Sequence, residues 1–190
     1  MNQMLTMWPG NLNKGFTDAV VETGNKQPIT QTGIGFNGAT DAVETVRKSE
    51  IRWISTYDQS HRFIVDTLWN FVIDANRNNY GFDLNYLRDI QFTTYRAENG
   101  GKYDWHQDIF WLNPTMSHRK LSIVVQLSEP NEYEGGEFEI DSEYGILDQN
   151  VIKQRGTVIV FPSFLRHRVT PVTSGVRRSL VSWVEGPRFR

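Results

Sequence analysis

The sequence predicts a mainly β, α+β chain: an antiparallel sandwich or barrel with helices packed on one face. Three observations carry this reading. Short extended segments crowd the second half, separated by Gly, Pro and Asn clusters. One helix with a wide apolar stripe stands in the first half. The strand expected over residues 121–127 has a wholly apolar face, as a sheet packed on a core requires.

In chain order, residues 16–22 predict a short helix bounded by Gly24 and Asn25, and residues 25–42 a Gly-, Asn- and Thr-rich loop. Residues 51–54 read as a short strand. The strongest helix follows, capped by Ser55 or Asp58. Its stripe is Phe63, Ile64, Val65, Leu68, Trp69, Val72 and Ile73, and Asn76, Asn78 and Asn79 end it. Strands are expected over residues 90–95, 103–108, 121–127, 137–140, 157–161 and 178–184. Leu121, Ile123, Val125 and Leu127 form the apolar face of the third. Ser122, Val124 and Gln126 form a mixed face that meets either solvent or the lining of a wetter interior.

Composition narrows the chemistry. The 190 residues contain no cysteine, which excludes disulfides, thiolate zinc sites, iron–sulfur clusters and cysteine nucleophiles. A net charge of −2 argues against a nucleic-acid partner. No apolar run approaches the ~18 residues that a membrane helix needs. The opening MNQMLTMWPGNLNKG has no basic start followed by an apolar stretch, so a cytoplasmic protein without membrane partners is expected.

Of the four histidines, His61 near a helix start and His118 in a polar turn are expected to be solvated. His106 is followed two residues later by Asp108, which places imidazole and carboxylate on one side of a strand. Alone, that pair is weak. His167 lies beyond the segment ending Phe161-Pro162-Ser163, and a tight turn with a returning strand brings it against the pair. Two histidines and one carboxylate make a facial triad suited to non-haem Fe(II); a histidine hydrogen-bonded into its turn is the alternative. Arg177 and Ser179 share one face of an extended segment with Val181 and Trp183, where the guanidinium can hold a carboxylate through two parallel bonds. The alternative is that Arg177 and Arg178 are both surface charges.

His106-Gln107-Asp108, Phe161-Pro162-Ser163, His167-Arg168-Val169-Thr170-Pro171-Val172-Thr173 and Arg177 closely resemble the 2-oxoglutarate and Fe(II)-dependent oxygenases. The prolyl 4-hydroxylase-like members are the most similar, including the compact bacterial and viral PKHD-type hydroxylases. Residues 121–128 and Tyr133-Glu134-Gly135-Gly136-Glu137-Phe138 add to the likeness, which runs from about residue 90 to 183. The resemblance implies a double-stranded β-helix (jelly-roll) barrel. It implies one domain over residues 1–190, with helical support over about 1–88 and the barrel over about 89–186. It implies that His106, Asp108 and His167 hold Fe(II) and carry catalysis. It implies that 2-oxoglutarate places its far carboxylate on Arg177, with Ser179, Tyr95 and Gln126 as polar neighbours. Dioxygen is the co-reactant and ascorbate a supporting reductant. The implied reaction hydroxylates an unactivated C–H bond, releasing succinate and carbon dioxide. The carboxylate of Asp108 favours hydroxylation over halogenation.

By the same resemblance the substrate is a protein or peptide presenting a prolyl residue. Residues 25–42 and 109–119 are long enough to act as lids, and Tyr103, Trp105 and Trp111 offer an apolar platform. The same core acting on a small molecule, a non-catalytic jelly-roll binding module, and a zinc or manganese cupin are the alternatives.

Overall fold

The computed structural model describes residues 4–30, 46–112, 116–141, 143 and 145–190. Its strands are β1 (Thr6–Trp8), β2 (Ile29–Thr30), β3 (Arg47–Lys48), β4 (Glu50–Ile54), β5 (Tyr86–Leu87), β6 (Ile90–Arg96) and β7 (Lys102–His106). The series continues with β8 (Ser117–Gln126), β9 (Tyr133–Gly135), β10 (Phe138–Ile140), β11 (Val158–Pro162), β12 (His167–Val169) and β13 (Val172–Pro187). The helices are α1 (Lys14–Lys26), α2 (Arg62–Ala75) and the single turn α3 (Gln149–Ile152).

The major sheet runs β1-β11-β8-β13-β6-β4-β2, with β5 and β9 also paired to β13. The minor sheet runs β10-β12-β7-β3. Every pairing among the described residues is antiparallel, and the two sheets face each other as the jelly-roll expectation requires.

The two faces of β8 explain the layering. Leu121, Ile123, Val125 and Leu127 join Ile64, Leu68 and Val72 of α2 and Val20 of α1 in one core, so the helices cover the outer face of the major sheet. Each of these aliphatics, buried to 2% exposure or less, contributes about 1.5–3 kcal/mol. Val124 turns the other way. With Tyr95, Ile159 and Phe161 it meets Phe138, Ile140 and Val169 of the minor sheet in a second core inside the barrel. Ser122 and Gln126 are buried there too, so the mixed face lines the barrel rather than meeting solvent.

Several expectations shift. Gly24 lies inside α1 rather than ending it, because the helix rests on the Phe92 ring so closely that a Cβ there would collide with it. Asp58 caps a 3₁₀ turn, Gln59–His61, that leads into α2. His61 is not solvated: it is 7% exposed, and its Nδ1–H donates to the Ser55 carbonyl at 2.9 Å. His118 is likewise buried, at 6%, beside the rings of Trp111 and Phe189. The last strand is much longer than expected because β8, β6, β5 and β9 all pair with it. Most of the expected 25–42 loop, and residues 113–115 of the 109–119 loop, lie outside the described residues. No helix among the described residues is long and apolar enough to cross a membrane.

Candidate metal centre

β7 and β12 pair His106 with His167 across the minor sheet, and the ladder shifts register just beyond. The two rings lie 4.2 Å apart between centroids, their planes tilted by 55°. The turn before His167 closes through Leu165 N–H to the Pro162 carbonyl at 2.9 Å.

Asp108 arrives differently from the strand alternation expected. β7 ends at His106, and the Asp108 and Ile109 N–H groups both donate to the Ser163 carbonyl, at 2.9 and 3.1 Å. That shared acceptor takes the chain out of the ladder and folds the carboxylate back over the pair. Asp108 Oδ1 then stands 3.7 Å from His106 Nε2, and Oδ2 stands 3.5 Å from His167 Nε2. One donor atom from each of the three residues lies within 4.8 Å of the others.

The surroundings orient each donor. His106 Nδ1–H donates to the Asp104 carbonyl at 2.8 Å and His167 Nδ1–H to the Leu165 carbonyl at 2.9 Å. Both Nε2 lone pairs are therefore turned to the centre. Ser122 Oγ donates to Asp108 Oδ2 at 2.6 Å and lies 2.9 Å from Ser163 Oγ. Burial, and then the nearness of His167, pushes His106 down to about 3, so its imidazole is neutral near pH 7. Burial alone would raise Asp108. The facing His167 and His106, with Arg119 and the Ser122 hydroxyl, hold it below the usual carboxylate range. Two imidazole nitrogens and a carboxylate are a donor set that Fe(II) accepts.

The same cleft reaches Arg177, Tyr95 and Ser179. Arg177 pairs with Tyr95 across β6, and Ser179 pairs with Gln126 across β8. The guanidinium is 1% exposed and lies 5.3 Å above the Tyr95 ring. Its Nη2 donates to Gln126 Oε1 at 2.7 Å and its Nη1 to Ser179 Oγ at 3.5 Å. Among the described residues no carboxylate pairs with it, and its Nε is buried without a partner. A buried cation left unpaired is costly, so the pocket fits an acidic guest.

Of the expected aromatic platform, only Tyr103 lines this cleft. Trp105 points away, under Arg168 and Arg166, because adjacent strand residues face opposite sides. Trp111 is 51% exposed against His118 and Phe189. Val181 and Trp183 of β13 complete the apolar wall, and Trp53 stands 6.3 Å from Trp183.

Some contributors escape sequence reasoning. Tyr133 accepts from Gln126 Nε2 at 3.1 Å, fixing which way that amide points. Gly136, at φ +57°, lets the Arg177 stem pass: a Cβ there would sit 2.9 Å from Arg177 Cδ. The paired glycines are the one signal of it in the sequence. Arg119, on β8, lies 4.0 Å over the Trp183 ring, and nothing in its polar sequence neighbours marks it.

Residues 90–185 match the model of the 2OG-Fe(II) oxygenase superfamily. A PKHD-type hydroxylase of Acidovorax ebreus is 38% identical over 94 residues, 47% of this chain and 40% of that protein. Another, from Synechococcus sp., is 38% identical over 96 residues, 50% of this chain and 41% of that protein. The match thus covers less than half of the curated relatives' own length. Among solved structures, a Pseudomonas putida prolyl-4-hydroxylase superposes with a TM-score of 0.72 at 19% identity, covering 99% of this chain and 94% of that one. A Trichoplax adhaerens prolyl hydroxylase, bound to a hypoxia inducible factor oxygen degradation domain peptide fragment, gives 0.74 at 14% identity, covering 96% and 83%. At these identities the likeness is one of fold.

Proposed function

This chain belongs to the 2OG-Fe(II) oxygenase superfamily, and we propose that it is an Fe(II)- and 2-oxoglutarate-dependent hydroxylase of a peptidyl prolyl residue. One observation carries the reading: a buried, carboxylate-free Arg177 opens into the same cleft as an inward-facing His106, Asp108 and His167.

His106 Nε2, His167 Nε2 and one Asp108 oxygen would hold the metal on one side, leaving the other for ligands. Arg177, steadied by Gln126 and Ser179, would take the far carboxylate of 2-oxoglutarate. Fe(II) with 2-oxoglutarate, when bound, supplies dioxygen activation, C–H oxidation and the release of succinate and carbon dioxide. The protein's own contribution is orientation and dryness. Ser122 and Ser163 fix the Asp108 carboxylate, while Val124, Phe138 and Val169 wall the cleft with apolar surface.

A peptide substrate is supported by what flanks the cleft. Val181 and Trp183 give it an apolar wall for a pyrrolidine ring, and Arg119 over Trp183 presents donors for a backbone carbonyl. Phe110, Trp111 and Leu112, exposed at 37, 51 and 97%, follow Asp108 after the buried Ile109 and give a chain an apolar strip to lie along.

Succinate formation tests the reading. Anaerobically loaded Fe(II) protein given 2-oxoglutarate, ascorbate and then air is expected to release succinate, faster with proline-containing peptides, and His167→Ala to release none. Stimulation by a free amino acid and not by peptides would transfer the chemistry to a small molecule. No succinate under any condition would leave a binding module.

Gly136→Ala tests the Arg177 seat. The added methyl meets Arg177 Cδ and forces a non-glycine into left-handed backbone, costing roughly 1–2 kcal/mol. A lower melting temperature together with weaker 2-oxoglutarate binding is expected; thermal unfolding and titration measure the two.

A further inference from the structure

His106 does not stand alone on its outer side. The Tyr103 ring stacks on the imidazole at 3.5 Å between centroids and 12° between planes. The register shift in the β7–β12 ladder lets residues three apart turn the same way. Arg47, directly opposite Tyr103 on β3, holds its guanidinium 4.5 Å from the centre of the same ring. With the imidazole filling one face, the guanidinium has the other. The order is cation, phenol ring, imidazole.

Arg47 is an unusual residue to bury. It is 7% exposed, yet no carboxylate pairs with it among the described residues. Its Nε donates to Ser49 Oγ at 2.9 Å, and its Nη2 is buried with no partner. A cation in such a place costs more than a surface arginine, and its one strong compensation is the face of Tyr103. A planar guanidinium over a planar ring fixes that ring far better than an ammonium would. Tyr103 in turn leaves His106 little freedom beyond the orientation that its Nδ1–H bond to Asp104 already selects.

We propose that Arg47 is a positioning residue of the metal centre, clamping His106 through Tyr103 so that Nε2 meets the ion at a fixed angle. This rests on the metal reading of the triad.

Anaerobic titration with Co(II), followed by its d–d absorption, tests it on wild type, Arg47→Gln and Arg47→Lys, with thermal unfolding of the metal-free proteins alongside. Residues that orient a ligating histidine are worth about 10–100-fold in metal affinity. Arg47→Gln is expected to weaken Co(II) binding about tenfold or more, and Arg47→Lys, with charge but no planar fork, to recover only part. At saturating Co(II) the absorption band of Arg47→Gln is expected to differ from wild type. A residue that merely stabilised the fold would leave the saturated spectrum unchanged, and that result overturns the proposal. So does a folded Arg47→Gln with wild-type affinity. If Arg47→Gln does not fold, Arg47→Lys is read alone: wild-type affinity and spectrum there overturn the clamp. Failure of wild type itself to bind Co(II) removes the metal reading, and the clamp with it.

Discussion

Arg177→Met will abolish tight binding of 2-oxoglutarate while leaving the protein folded. Two charge-assisted bonds to a carboxylate in a dry site are worth about 3 kcal/mol or more, so the dissociation constant should rise at least ~100-fold. The effect on the ligand-free protein has the opposite tendency. Arg177 is buried to 1% exposure without a carboxylate partner, so an apolar side chain of similar length removes an uncompensated charge. The bonds to Gln126 and Ser179 are lost, but Gln126 keeps Tyr133. A melting temperature equal to wild type or higher, together with lost 2-oxoglutarate binding in a Co(II)-loaded titration, is the expected pair of results. Unchanged affinity would take the carboxylate seat away from Arg177 and pass it to Arg178, the next arginine on β13.

The split between the two results follows from a pattern legible in the sequence. Period-two alternation puts Arg177, Ser179, Val181 and Trp183 on one face, and β13 presents Arg177, Ser179 and Trp183 buried toward the cleft. The same rule sorts β8 into a face for the helices and a face for the barrel. It fails where the chain leaves the ladder. Asp108 does not alternate with His106; two backbone N–H groups turned to Ser163 place it, and a carbonyl more than fifty residues away leaves no local trace. His61 and His118 depart from expectation for a related reason. Polar neighbours in sequence say nothing of the Ser55 carbonyl or the Phe189 ring that cover them in space. Arg47 is the extreme case, because its meaning lies wholly in the ring across the strand. β1 leaves no sequence signal either, since three residues carry no period; only pairing with β11 makes them a strand.

Asp108 is where metal binding and fold stability separate most sharply. Asp108→Ala removes the only anionic donor of the triad, and Asp108→Asn keeps a neutral oxygen of the same shape. Metal affinity should therefore fall in the order Asp, Asn, Ala. The alanine variant should lose more than the roughly 100-fold that supporting residues alone can cost. Turnover should fall to background in both, and His106→Ala should match them. The metal-free proteins should behave otherwise. In the wild type, the buried carboxylate is held by the Ser122 hydroxyl and by the charges around it, at 6% exposure. The asparagine oxygen can still accept from Ser122, and a neutral amide escapes the desolvation that a carboxylate suffers. Metal-free Asp108→Asn should thus melt no lower than metal-free wild type. What disappears is the rise in melting temperature on adding Co(II), because a ligand stabilises only the state that binds it. If the Co(II)-induced rise survives in Asp108→Ala, the ion sits elsewhere, and the metal reading of the three inward-facing side chains falls.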